Sequence, residues 1–391
     1  MVSIVEPLSR ASVSRVHGSR RRYAQHRPSA HDVGRCLAAV VVGLLLVVGG
    51  ARAEPPAARV AVLQRGVNVM DWFGFPALET ASAIRAYIGD PAIVDLRHAG
   101  FTFVRLTVEP EFLVGATEPI PLMLEAVRRL EGAGLGVVIA LQSPSAESGA
   151  RDADRATVIA AWRLLAPALA GFDMRRTFPE IPSPSAFEGD GGGQPVVRSE
   201  AFEVIRAALP RATVVLSSEA GEDLEGLLRL RPLADQNVVY SFHFFEPGML
   251  VMPERLADDL DRHAMAEMPF PAVAPCVPED AAGPTRAVIA LYCGEHWDAP
   301  KIAQRIAQAA EWGRQYDAAV IATEFGANGA LNPAARLAWL AAVRRACEEA
   351  GIGWAIWAYD GRDGLALRHP PGARPPLNLG VLEALGLDSP R

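Results

Sequence analysis

A carboxylate in the last third of the chain stands where a short apolar run gives way to a turn. Glu324 follows the apolar residues 318–321 and comes two residues before Gly326. An apolar run of this length, bounded by a turn residue, is typical of a buried strand. In an α/β barrel the loops after the strands form the active-site face. Glu324 is therefore the first candidate functional residue.

Polar and aromatic side chains stand at the ends of the other apolar runs in the same way. Because a barrel brings the carboxyl ends of its strands to one face, we expect these side chains to approach a common cleft. The residues, in chain order, are Asp71, Trp72, Arg105, Glu109, Gln142, Glu180, Ser218, Glu219, His243, Trp357 and Asp360.

The elements that must position these groups alternate between two kinds. Apolar runs end near Asn68, Thr107, Leu141, Ser217, His243, Glu324 and Trp357. Stretches with apolar residues at helical spacing cover residues 122–132, 157–169, 202–209, 302–312 and 333–350. Strands that alternate with helices indicate parallel βαβ units.

Seven or eight such units predict a (β/α)8 TIM barrel that forms a single domain over residues 54–391. A doubly wound sheet is the alternative, but no G-x-G-x-x-G follows the first strand. Residues 174–197 and 246–300 interrupt the alternation. We expect both regions at the mouth of the barrel, with much of 246–300 in loops.

Five short segments resemble a known family in their order and spacing. They are residues 65–68, 104–106, 240–247, 322–326 and 354–357. Together they resemble the strands of glycoside hydrolase family 5, the cellulase-like family of clan A, over residues 64 to 365. The match is closest at Ala322-Thr323-Glu324-Phe325-Gly326, which is similar to that family's nucleophile strand.

The resemblance implies hydrolysis of a β-linked oligo- or polysaccharide by a retaining mechanism, without a metal or other cofactor. Glu324 would be the nucleophile, with Arg105 and His243 as its supports, and Trp357 would be a sugar platform. Gln142 stands where the family has a histidine and can hydrogen-bond a hydroxyl group. Trp72 is a further candidate for substrate binding.

The acid/base residue departs from the family pattern. The family ends its fourth strand with Asn-Glu-Pro, but the matching segment here aligns Ser183 and Pro184 with the Asn and the Glu. Proline has no proton to give. Glu180 replaces the acid/base only if this strand slips by several residues; Glu219 and Glu188 are other substitutes. A missing acid/base is the remaining alternative.

The N-terminus has the pattern of a secretory signal peptide over residues 1–53. Residues 1–35 contain seven arginines and two acidic residues, and an apolar run at 36–50 precedes Ala51-Arg52-Ala53. A basic region, a short apolar region and an A-x-A site predict export, to the periplasm or the extracellular space. The apolar run is shorter than a membrane span of about 20 residues, although an uncleaved anchor stays open.

Charge and cysteine content fit an exported protein with a neutral ligand. Without residues 1–53, which contain eight arginines and two acids, 30 basic and 43 acidic side chains remain, a formal charge of −13. This charge argues against a nucleic-acid or anionic-membrane partner. Cys276 and Cys293 flank a Pro- and Gly-containing stretch and are the expected disulfide pair, whereas Cys347 has helical spacing typical of a buried thiol.

Two classes of function therefore compete. One is a retaining glycosidase; the other is a catalytically impaired barrel that binds glycans but lacks the acid/base. An accessory protein for exopolysaccharide handling is a weaker third option. The distance from Glu324 to the nearest second carboxylate separates the first two, because retaining enzymes hold two carboxyl groups about 5–5.5 Å apart.

Overall fold

The structure, a computed structural model, describes residues 55, 57–74, 80–115, 119–142, 151–181, 194–218, 222–253, 256–361, 364–369 and 376–389. Residues Arg52–Arg391 form one compact unit. The predicted signal peptide lies outside the described residues, and so do Ser183, Pro184, Glu188 and Glu219. Within the described ranges, no helix is both long and apolar enough to cross a membrane.

Eight parallel strands close into a barrel in the order β1 to β8, with β1 paired to β8. This confirms the predicted (β/α)8 TIM barrel. The strands are β1 (Arg65–Phe73), β2 (Phe103–Val108), β3 (Gly136–Leu141), β4 (Thr177–Ile181), β5 (Val214–Ser217), β6 (Val238–Phe244), β7 (Ala319–Phe325) and β8 (Gly353–Ile356).

Helices separate the strands and pack outside the barrel. Those of the first half are α1 (Ala57–Val60), α2 (Ala81–Tyr87), α3 (Asp90–Ala99), α4 (Pro110–Gly115), α5 (Pro119–Gly132), α6 (Arg151–Leu169) and α7 (Gln194–Ala208). Those of the second half are α8 (Leu224–Arg229), α9 (Gly248–Val251), α10 (Arg262–Ala266), α11 (Gly283–Gly294), α12 (Ala299–Tyr316), α13 (Pro333–Glu349) and α14 (Leu379–Ala384).

Local sequence explains where the two long helices before β7 and β8 begin. The Asp298 side chain accepts a hydrogen bond from Lys301 N and caps α12, and Asn332 caps α13 through Ala334 N and Ala335 N. Both helices carry proline in the first turn, where a missing N–H costs nothing.

The region 246–300 is more regular than expected from its sequence. In its described part it contains α9, α10 and α11. These helices are short or rich in Gly and Pro at their ends, so their apolar residues do not show a long helical period. The disulfide Cys276–Cys293 joins the loop before α11 to the end of that helix. Cys347 is a buried free thiol on α13.

The barrel interior holds its own apolar cluster, separate from the core between strands and helices. It is formed mainly by one inward-facing residue from each of seven strands: Phe103, Val138, Phe178, Val215, Val239, Ile321 and Ala355. Side chains two residues apart on a strand face the same side. The next inward layer therefore carries Arg105, Glu180 and Ser217, and this layer is polar.

An irregularity in β7 brings Glu324 into line with His243. Phe242 pairs with Ala322, but the next residue of β6, His243, pairs with Glu324, so Thr323 is an extra residue in β7. Such a bulge re-aims the side chain that follows it. Gly326 then allows β7 and β8 to approach, because a Cβ there would lie 2.6 Å from Trp357 O.

The disulfide should stabilise the fold measurably. Replacing Cys276 and Cys293 by serine frees a loop with a sequence separation of 17. We expect the free energy of unfolding to fall by about 3 kcal/mol, because the bond restricts the unfolded chain. Chemical denaturation of the oxidised wild type and the double variant measures the difference. With reductant present the two proteins should unfold alike; equal stability under oxidising conditions would contradict the prediction.

Candidate active site

A buried arginine is the centre of the polar layer. Arg105 on β2 is fully buried, and its guanidinium contacts side chains from three other strands. Nε and Nη2 donate to Glu180 Oε2 and Oε1 at 2.6 and 2.9 Å. Nη1 donates to Asn68 Oδ1 at 2.9 Å and to Glu324 Oε1 at 2.5 Å. The predicted support of Glu324 by Arg105 is thus a direct ion pair in the structure.

Asn68 on β1 extends this network to β7 and β8. Its Nδ2 donates to the backbone oxygens of Thr323 and Ile356, at 2.9 and 3.2 Å. One side chain thereby connects the guanidinium to β7 and β8. The residue just before Glu324 is held by this bond, which limits the freedom of the catalytic candidate itself.

Glu180 has a different place from the one proposed for it as acid/base. Its side chain is 0% exposed, and both carboxylate oxygens already accept hydrogen bonds from Arg105. Ser217 Oγ also donates to Oε1 at 2.9 Å. A carboxylate held on both oxygens and closed off from solvent has no oxygen to present to a leaving group. Glu180 is therefore a structural partner of Arg105 here, because the alternation of β4 turns it into the barrel.

Glu324 is almost buried but reaches the mouth of the barrel. Its side chain is 7% exposed, and Oε2 lies 3.3 Å from His243 Nδ1. Burial raises the pKa of Glu324 to about 8, although the neighbouring Arg105 acts to lower that pKa. Glu222 and Glu180 add to the increase by repulsion. One guanidinium thus faces more than one carboxylate, and Glu324 receives only a single hydrogen bond from it.

The structure brings a second carboxylate to this point that sequence reasoning missed. Glu222 follows β5, and its Oε2 lies 3.3 Å from His243 Nε2. One oxygen of Glu222, one nitrogen of His243 and one oxygen of Glu324 all lie within 4.8 Å of one another. Three donor atoms this close could also hold a metal ion. A polar residue after β5 was expected to approach the cleft, but the sequence pointed to Ser218 and Glu219.

The remaining predicted substrate contacts fall into two groups. Trp357 directly follows β8, is half-buried, and donates its backbone N–H to Phe325 O at 2.8 Å. Gln142 directly follows β3 and is also half-buried. Both stand at the carboxyl ends of their strands, on the same face as Glu324.

Trp72 is the exception among the predicted substrate contacts. It is 1% exposed, stacks on Phe73 at 5.2 Å between ring centroids, and donates Nε1–H to Ile84 O at 2.7 Å. The structure therefore places Trp72 in the core between β1 and α2, with no ring face left for a sugar. The reason is that β1 runs on to Phe73, beyond the end near Asn68 expected from its apolar run.

Asp360 forms a separate polar cluster beyond β8. Its carboxylate accepts a short hydrogen bond from Tyr87 Oη and lies 4.0 Å from Arg368 Nη1. Burial raises the pKa of Asp360, with Asp71 nearby as a further contribution and the Tyr87 bond acting against it. These contacts fasten the segment after β8 to α2.

Part of the chain matches the model of a known protein family. Residues 195–363 match the family Cellulase (glycosyl hydrolase family 5). The matched part runs from α7 to the loop after β8 and contains Glu222, His243, Glu324 and Trp357. A sequence search of curated proteins finds no significant match.

Solved structures share the fold of almost the whole barrel. Thermotoga maritima Cel5A with cellobiose is 18% identical, with a TM-score of 0.64 over 84% of this chain and 99% of that chain. The cellulose synthase subunit Z of Clostridioides difficile is 17% identical, with a TM-score of 0.62 over 83% of this chain and 99% of its own.

A third similar structure is the Bacteroides ovatus GH5 xyloglucanase with a XXXG heptasaccharide. It is 16% identical, with a TM-score of 0.63 over 86% of this chain and 77% of that chain. The match over residues 195–363 confirms the resemblance to glycoside hydrolase family 5 predicted from the sequence, and the solved structures share the (β/α)8 barrel.

Proposed function

We propose that the protein is a glycoside hydrolase that cleaves β-linked glycans by a retaining mechanism. The observation that carries this proposal is the setting of Glu324 at the end of β7. One of its oxygens accepts a hydrogen bond from the buried Arg105, the other lies against His243, and a second carboxylate stands within 4.8 Å. That separation fits the short spacing of retaining enzymes better than the roughly 6.5–9.5 Å of inverting ones.

The roles of the side chains follow from their contacts. Ionised Glu324 would attack the anomeric carbon while Arg105 and His243 hold its carboxylate in place. Fixed hydrogen bonds around a nucleophile reduce the reorganisation that the reaction needs. Trp357 would offer a ring face to a sugar, and Gln142 a hydrogen bond to a hydroxyl group.

The substrate class follows from charge and from the similar proteins. A neutral β-linked oligo- or polysaccharide suits a chain whose mature form would carry a formal charge of −13. The similar structures named above include complexes with cellobiose and with a XXXG heptasaccharide. We further propose that the protein acts outside the cytoplasm, which the Cys276–Cys293 disulfide supports because such bonds persist in oxidising compartments.

A glycan-binding barrel without activity is the second candidate. It is favoured by one observation: Glu180, the carboxylate on the strand where the family has its acid/base, is closed off by Arg105 and Ser217. Turnover separates the two candidates. An activated aryl glycoside needs little acid assistance, so it reports on Glu324 alone.

Glu324→Gln should abolish turnover. We expect kcat/KM on dinitrophenyl β-cellobioside to fall on the order of 10⁵-fold, as for other lost nucleophiles. Glu311→Gln, an exposed substitution on α12, serves as the matched control and should behave as wild type. The assay is extended to hydroxyethyl cellulose, xyloglucan and mannan to identify the sugar.

The configuration of the product formed when azide restores activity to a nucleophile variant gives a second test of the role of Glu324. Azide added to Glu324→Gly should restore turnover and yield the α-glycosyl azide, because the anion enters from the side of the missing nucleophile. A wild type that binds these glycans but hydrolyses none of the aryl substrates would favour the binding barrel.

The pH dependence should report the ionisation of Glu324. Its pKa is raised to about 8, and only the ionised form attacks, so kcat/KM on the aryl glycoside should rise with pH through about 8. Glu180→Gln removes a negative charge that raises this pKa. We therefore expect the rise to move to lower pH in that variant, with activity at neutral pH retained or increased.

The same variant tests the structural place of Glu180. If Glu180 were the acid/base, its replacement by Gln would instead suppress cleavage of unactivated glycans and leave the rise with pH where it is. Thermal unfolding of the variant is measured alongside, since weakening a buried ion pair lowers stability.

A further inference from the structure

Glu222 occupies a position that is held firmly although it belongs to a loop. Its φ is +60°, a conformation that a side chain other than glycine adopts at a cost. Its carbonyl oxygen accepts a hydrogen bond from His243 N at 2.5 Å. The next residue, Asp223, forms a parallel bridge with His243 and caps α8 through Gly226 N. The strained backbone is therefore fixed between β6 and a helix N-terminus.

This backbone position directs the Glu222 side chain to the imidazole that also contacts Glu324. Glu222 Oε2 lies 3.3 Å from His243 Nε2, and Glu324 Oε2 lies 3.3 Å from His243 Nδ1. The Glu222 side chain is 13% exposed, whereas Glu180 is 0% exposed. Of these two glutamates, Glu222 thus combines closeness to Glu324 with access to solvent.

The imidazole of His243 links the two carboxyl groups, with Nδ1 towards Glu324 and Nε2 towards Glu222. The first step of a retaining glycosidase requires one carboxylate and one carboxylic acid. Arg105 Nη1 donates to Glu324 Oε1, and this contact favours the carboxylate form of Glu324, which is the form that a nucleophile needs.

We propose that Glu222, on the loop between β5 and α8, is the acid/base of this protein in place of a residue after β4. This inference rests on the proposed retaining hydrolysis. In the first step Glu324 Oε forms a bond to the anomeric carbon, the bond to the leaving oxygen breaks, and the Glu222 proton moves to that oxygen. In the second step a water oxygen bonds to the anomeric carbon, its proton moves to Glu222, and the bond to Glu324 breaks.

Glu222→Gln keeps the shape of the side chain and removes its acid function. We expect kcat/KM to fall about 10²–10⁴-fold on the unactivated glycan that wild type cleaves fastest, since that is the usual contribution of a general acid. On dinitrophenyl β-cellobioside the loss should be below about tenfold, because a good leaving group needs no proton. Glu225→Gln, whose side chain pairs with Arg305 on the surface, is the matched control and should lose nothing.

Azide identifies the role by product stereochemistry. Glu222→Ala with azide and the aryl glycoside should form the β-glycosyl azide, because the anion takes the place of the activated water. This is opposite to the α product expected from Glu324→Gly, so the two carboxylates are told apart in one assay. Unfolding temperatures close to wild type, measured for both Glu222 variants, show that the loss is chemical.

Three results would overturn the assignment. Full activity of Glu222→Gln on unactivated glycans would remove Glu222 from catalysis and leave the proposed hydrolysis standing. Loss of wild-type activity in EDTA, restored by Zn²⁺ or Mn²⁺, would make Glu222, His243 and Glu324 a metal site instead. A wild type that never turns over the aryl glycoside would overturn the proposed function and this inference with it.

Discussion

One buried guanidinium organises the interior of this barrel. Arg105 carries a positive charge at a point closed off from water, and a charge in that position must be paired. Its partners come from β4 and β7, with an amide from β1. Breaking such a pair by removing one partner typically costs about 3–5 kcal/mol. Pairing with Arg105 therefore makes Glu180 and Glu324 part of the interactions that stabilise the barrel.

The two carboxylates share the guanidinium unequally, and this gives them different characters. Glu180 accepts two hydrogen bonds from Arg105 and a third from Ser217, so its charge is paired and its side chain is enclosed. Glu324 accepts one hydrogen bond from Arg105 through Oε1, and its Oε2 lies 3.3 Å from His243 Nδ1. The enclosed Glu180 serves stability, whereas Glu324 keeps one oxygen beside His243 at the barrel mouth.

With Glu180 committed to Arg105, the second carboxylate of the proposed mechanism has to come from another strand end. The barrel permits this because all eight loops converge on one face, so a group after β5 reaches the same point as one after β4. Glu222 does so at the expense of a strained backbone, which the bridge to β6 and the cap of α8 hold in place. The same barrel fold can therefore hold the residues of the proposed site on different loops.

Sequence patterns were enough to predict the barrel, the strands that carry Arg105, His243 and Glu324, and the place of Trp357 just after the last strand, because apolar periodicity and turn residues are local signals. The direction of each side chain depends on contacts in the folded protein. Trp72 lies in the core because β1 runs on to Phe73, and Glu180 faces inward because of the phase of β4. The extra residue in β7 brings Glu324 opposite His243. The positive φ of Glu222 turns its side chain towards the same histidine. Register, bulges and backbone strain arise from contacts between segments distant in the chain, so no local pattern encodes them.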